Sequence, residues 1–372
     1  VSITSAFSVR WRATAILCFA PFLVSPVFGQ EEIIPDQSVC ESCEIQFEHM
    51  ARLGSAEGKD FIEDHLLSVS SGRNGDVFVL PARNGGGLIF RRDGELIRRL
   101  GTEGQGPGEY LRPTFALGLS DGRTAVFDPM QARVSLLDQD HEFLNTVPFS
   151  AIVSDAIELS DGSIVVNANV PSPERFGFPL HVVDLESGTI LETFGELKEE
   201  VITRPDVISR LLFSNQEPGF WTIRRTEYVL EQFGEDRALL RTLRRNVEWF
   251  PEESHIEIGR PGTPPSPFIR AARVDVEGRI WTATWVPSPN WAEAWEGYDI
   301  PPDGEFRTHP PYNELYDTRV EVIDPIDGVL VSSSWDSLVF RWIGGHVAAT
   351  TYQDENGIIY VDLWRITLAG IE

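Results

Sequence analysis

The chain has 372 residues, with 31 Lys or Arg against 57 Asp or Glu and a formal net charge of −26. A surface this acidic repels phosphate backbones and excludes nucleic acid as a partner. The length suits two ordinary domains or one large all-β domain.

Arg10 and Arg12 precede the apolar run ATAILCFAPFLV, which gives way to SPVFG and then to the polar QEE. This is the layout of an export signal over residues 1–29, and Val27 and Gly29 fit a cleavage rule that places the cut between Gly29 and Gln30. The run falls short of the ~20 residues a membrane span needs. Cys18 follows Leu17, which is too large for a lipid-attachment site. The mature chain is therefore expected in the periplasm or outside the cell, with no membrane span.

Residues 30–43 read as a lead-in that carries a C-x-x-C pair, Cys40 and Cys43. A metal site of this type needs a second ligand pair, but the seven His are scattered. Haem attachment needs His after the second Cys, where Glu44 stands. In an exported chain the pair is expected to close a small local disulfide; a redox pair and free thiols are the alternatives.

Six β-rich hairpins follow, each broken by a glycine turn: Gly75, Gly122, Gly162, Gly219, Gly278 and Gly345. A second hairpin in most units, as in GLIFRRDGELIRRLG, brings the count to four strands per unit. Six such units over residues 44–372 predict a six-bladed β-propeller. The inner runs, such as Val77 to Leu80, are apolar without alternation, as a sheet covered on both faces requires. Only residues 197–213 hint at helical spacing. The sixth unit is one strand short, and residues 44–54, which alternate but belong to no hairpin, are expected to complete it and close the ring.

Several short motifs resemble chemistry and fail on context. In LGTEGQGPGEYLRP the glycines lead to a strand rather than to a helix N-terminus, so it is a connector and not a phosphate cradle. GLSDG matches the nucleophile elbow, but a strand follows Ser120 where that motif needs a helix. DQDHE begins like a calcium loop, yet Phe143 and Phe149 occupy the places of its required Gly and Glu. No local metal motif and no cofactor are predicted, although a divalent metal gathered from distant loops would leave no local signature.

The fifth unit is irregular. Its two turn glycines, Gly278 and Gly328, are 50 residues apart, against 19 between Gly75 and Gly94 in the first unit. The excess, residues 286–316, is an insertion between the second and third strands, long enough to be functional. Strand alternation puts it on one face of the ring with the blade-to-blade connectors and the lengthened PSPERFGFP loop. Trp285, Trp291, Trp295 and Tyr312 could offer stacking faces there, and Glu109, Arg112 and Arg175 polar contacts. A lid that packs its Trp residues onto the rim is the alternative.

LGTEGQGPGEYLRPTFALGLSDGRTAVFDPMQARVSLLD resembles the NHL-type repeat, and CESCEIQFEHMARLG, RRNVEWFP, VDVEGRIWTATWVPSPNW and YVDLWRITL resemble the exported six-bladed β-propeller proteins of bacteria. That resemblance implies the fold and no assigned activity, since related propellers include binding modules as well as lactonases and lyases. The expected function is non-catalytic binding of a small molecule, glycan or peptide on the loop-rich face. The alternatives are a metal-dependent lactonase or lyase with its site at the channel mouth, and a purely structural role with a protein partner.

Overall fold

The computed structural model describes residues 30–370 apart from 64–65, 73, 83–84, 215–217, 253, 297 and 299–308. The leader with Gly29, and part of the 286–316 insertion, lie outside the described residues. Six antiparallel sheets form the ring. From the channel outward, blade 1 is Leu66–Ser71, Val77–Pro81, Gly87–Phe90 and Leu96–Leu100. Blade 2 is Phe115–Gly118, Thr124–Asp128, Arg133–Leu137 and Phe143–Pro148. Blade 3 is Ile152–Glu158, Ile164–Asn169, Leu180–Asp184 and Thr189–Phe194. Blade 4 is Arg210–Ser214, Phe220–Arg224, Val229–Phe233 and Leu239–Arg245. Blade 5 is Phe268–Val274, Ile280–Pro287, Tyr316–Asp324 and Val329–Asp336.

Blade 6 takes Phe340–Gly344, Val347–Gln353 and Ile359–Ala369 from the end of the chain and Glu44–Leu53 from its beginning. Glu44 pairs with Ala369 and Leu53 with Val361, antiparallel, so the N-terminal strand closes the ring as the unpaired alternation at 44–54 predicts. The first strands of successive blades touch all the way round. A distinct apolar cluster fills each junction between blades; between blades 1 and 2, for example, Phe78, Ile89 and Tyr110 meet Val126 and Leu137. Second strands sit between two such clusters, which is why Val77–Pro81 and Thr124–Asp128 are buried at every position.

The lead-in holds a strand that its polar sequence does not announce. Gln30–Ile34 pairs in parallel with Leu239–Arg245 as a fifth strand on blade 4. Ser38 then bridges to Leu330 of blade 5, and the Cys40–Cys43 disulfide turns the chain into blade 6. The N-terminal segment is thus a strap across three blades. Arg245, fully buried, pins it by donating to the Pro35 carbonyl at 2.6 Å and to Asp36 and Glu321 at 2.9 Å each.

The glycine-rich connector between blades 1 and 2 makes a two-residue parallel ladder, Thr102–Glu103 against Glu109–Tyr110. At Gly101, φ is +58° and an added Cβ would lie 2.2 Å from the Gly108 carbonyl, so no other residue fits. Residues 199–208 form two short 3-10 turns rather than a helix. The segment 138–142 is a tight turn in which Asp138 Oδ1 accepts the Asp140 and Glu142 backbone N–H at 2.9 Å.

Candidate functional site at the channel mouth

The six first strands enclose a cavity of about 470 Å³ whose wall is mostly small polar and apolar side chains, including Ser68, Ser70, Thr114 and Ser154. Four charged residues line it: Asp155, Arg270 and Arg341 lie toward the loop-rich face, on which first strands begin, and Arg273 lies near the other end of its strand. Arg270 occupies a β-bulge. The pairing of the first two strands of blade 5 passes from Ile269 opposite Thr284 to Ala271 opposite Ala283, which leaves Arg270 unpaired and re-aims its side chain. Blade 3 slips in the same way at Ser154, just before Asp155.

A third guanidinium lies beside those of Arg270 and Arg341. Arg225 follows the second strand of blade 4, and its backbone locks that turn onto blade 5 by accepting from Ile269 N–H at 2.9 Å. Its Nε donates to the Ile269 carbonyl at 3.1 Å, and its plane lies 5.2 Å from the Phe268 ring centroid. Arg270 stacks in turn on Trp285 at 5.1 Å. Stacking on an aromatic face fixes a guanidinium while leaving its N–H edge free to donate.

The electrostatics are one-sided. Asp155 is the carboxylate that faces both Arg225 and Arg270, with Asp206 acting on Arg225 alone, and it already accepts the Ala156 and Leu212 backbone N–H at 2.9 and 2.8 Å. Burial pushes its carboxyl up to about 7, against the pull of those bonds and of Arg225 and Arg270. Burial, then Arg270, pulls Arg225 down to about 9, and burial with Arg270 pulls Arg341 down as well. All three guanidiniums remain protonated at neutral pH. Among the described residues, the Arg270 and Arg341 side chains make no hydrogen bond or ion pair.

The insertion reaches this mouth through Tyr312. Trp291–Glu296 and Tyr312–Leu315 form two short helices, and Tyr312, 41% exposed, is in electrostatic reach of Arg225, Arg270 and Arg341. Its ring packs at 5.2 Å from Trp285 and 4.9 Å from His309. Trp285 and Tyr312 are therefore brought together with the arginines. Trp295 is not: it is 7% exposed and packs with Phe268, Leu315 and Tyr316, with Trp291 half-buried against the same cluster. Glu109 folds back to accept the Gly106 N–H at 2.7 Å, and the Arg112 backbone N–H is bound by Asp128, so both belong to the connector between blades 1 and 2. Arg175 sits in the lengthened blade 3 loop and donates to the Ile190 carbonyl at 3.4 Å.

Arg225, Arg270, Arg341 and Asp155 were not singled out by motif. Their signal is a charge inside an apolar strand or at its edge, as in FIRAARVD and LVFRWIG of two first strands and WTIRRTEY at the end of a second strand. Among the described residues no group of three or more His, Cys, Asp or Glu is placed to hold a metal ion. His141 pairs with Asp76 at 2.9 Å and His49 with Asp362 at 3.1 Å, away from the channel wall. No described helix is long and apolar enough to cross a membrane.

Residues 71–204 match a family whose description is 6-bladed beta-propeller. No curated protein matches the chain in sequence. A Bacteroides fragilis protein described as exported is 13% identical, with a TM-score of 0.53 over 91% of this chain and 99% of its own. A Bacteroides vulgatus protein from a family of unassigned function is 10% identical, with a TM-score of 0.55 over 88% of this chain and 99% of its own. Virginiamycin B lyase from Staphylococcus aureus is 9% identical, with a TM-score of 0.49 over 87% of this chain and 100% of its own. The match over residues 71–204, the ring of six sheets and the likeness to the two Bacteroides proteins agree: the chain is a six-bladed β-propeller.

Proposed function

We propose that this protein is exported to the periplasm or the cell exterior and acts there as a non-catalytic binding module, taking a small molecule, glycan or peptide end into the channel mouth on the loop-rich face. The observation that carries the reading is the convergence of Tyr312 and Trp285 with three guanidiniums at the rim of a 470 Å³ cavity. Concave sites with one aromatic wall and a few fixed polar groups are where small ligands bind. Export is supported by the leader and by the likeness to an exported relative.

The test is native mass spectrometry and thermal-shift screening of protein purified from the periplasm, followed by Tyr312→Ala on any ligand found. Loss of about tenfold in affinity, worth roughly 1.4 kcal/mol, with an unchanged melting temperature supports the site. Unchanged affinity removes the mouth as the binding site. A stoichiometric divalent ion in elemental analysis would instead favour a metal-dependent lactonase or lyase.

A further inference from the structure

In a chain with 57 acidic residues, Arg270 and Arg341 line a channel in which they meet no carboxylate at hydrogen-bonding distance among the described residues. Arg225 adds a third positive charge close enough to perturb both. Outside the channel this protein pairs its buried arginines with carboxylates: Arg245 is held by Glu321 at 2.9 Å, and Arg224 by Glu231 at 2.7 Å and Glu227 at 2.8 Å, whereas Arg273, also on the channel wall, stacks on Trp281 and Trp342 and donates to the Ile366 carbonyl. Arg225, Arg270 and Arg341 are partly buried, and like charges held together against a low-dielectric wall repel. The channel therefore departs from the rule the rest of the molecule follows, and a ligand that supplies the missing charge resolves the departure.

We infer that the channel mouth binds an oxyanion group, a carboxylate or a phosphate, between the guanidiniums of Arg270 and Arg341 with Arg225 behind them. The inference deepens the binding role proposed above and rests on it. Planar guanidinium forks match the two oxygens of a carboxylate or a phosphate edge, and stacking on Trp285 and Phe268 holds two of the forks in place before the ligand arrives. Low-dielectric walls concentrate the positive field in the lumen, so the acidic outer surface does not cancel it. Tyr312 at the rim then contacts the uncharged remainder of the ligand. The ligand class is an acidic small molecule, an acidic sugar or the acidic end of a peptide.

The test is calorimetric titration of the full chain with sodium phosphate and, separately, sodium citrate, at fixed ionic strength balanced with chloride. Saturable binding of at least one is expected, and Arg270→Gln with Arg341→Gln should weaken it tenfold or more. Phosphate alone binding points to phosphorylated ligands; citrate alone points to carboxylates. The same double variant in the absence of oxyanion should melt at the same temperature or higher, since two repelling charges are gone; a lower melting temperature would make the arginines structural and overturn the inference. Binding unchanged by the double variant, or no binding of either probe, overturns it as well. A screened neutral ligand that depends on Tyr312 and ignores Arg270 and Arg341 would sink the oxyanion while leaving the loop-face site standing, and one that ignores all three would sink both.

Discussion

Asp155 is the residue whose titration reports on the channel. Burial raises its carboxyl from the ordinary ~3.9 to about 7, with the Arg225 and Arg270 charges opposing the shift. The folded protein then keeps this proton at pH values where the unfolded chain has lost it. Stability from this group is full below about pH 4 and declines as pH rises through 7. Asp155→Asn removes the decline, so the variant should gain on the wild type between pH 5 and pH 8, on the order of 1–3 kcal/mol in chemical denaturation. A gap that stays constant with pH would show that Asp155 does not titrate there. Protonation also removes a negative charge that faces Arg225 and Arg270, so affinity for selenate, whose own charge is constant over this range, should rise as pH falls from 8 to 6, and the rise should be lost in Asp155→Asn.

The strap and the insertion act at the scale of elements. Deleting residues 30–54 removes a strand from blade 4, the closing strand of blade 6 and the Pro35 and Asp36 acceptors of Arg245, and leaves open edges on two sheets. Aggregation or loss of a single cooperative unfolding transition is expected; a monomeric truncation as stable as the full chain would contradict ring closure by this segment. Trp295 is the keystone of the insertion, buried against Phe268, Leu315 and Tyr316. Trp295→Ala should cost on the order of 3 kcal/mol, visible as a lowered melting temperature, whereas Tyr312→Ala at the exposed rim should leave it nearly unchanged. The two aromatics of one loop thus separate packing from binding. The sequence carries the existence of the insertion and its face, because loop length and strand alternation are local. It does not tell Trp295 from Tyr312, because which ring meets Phe268 depends on how the loop folds back on blade 5.

At the scale of the whole molecule, the ring was legible because each blade repeats the same local instructions. Apolar runs covered on both faces, glycine turns and an unpaired N-terminal alternation are enough to specify six closed sheets. The fifth strand at Gln30–Ile34 was not, since it is short, polar and paired in parallel to a distant edge. The channel site was hidden for a related reason: Arg225, Arg270 and Arg341 lie in three different blades, and only ring closure together with a bulge at Arg270 brings them to one mouth. A propeller builds its site from single residues of many repeats, so no contiguous motif records it. The most direct test is a crystal of the full chain soaked in selenate, an oxyanion with an anomalous signal. The account predicts an anomalous peak between the guanidiniums of Arg270 and Arg341 that is lost in Arg270→Gln with Arg341→Gln; peaks confined to the outer surface, with none in the channel, would contradict it.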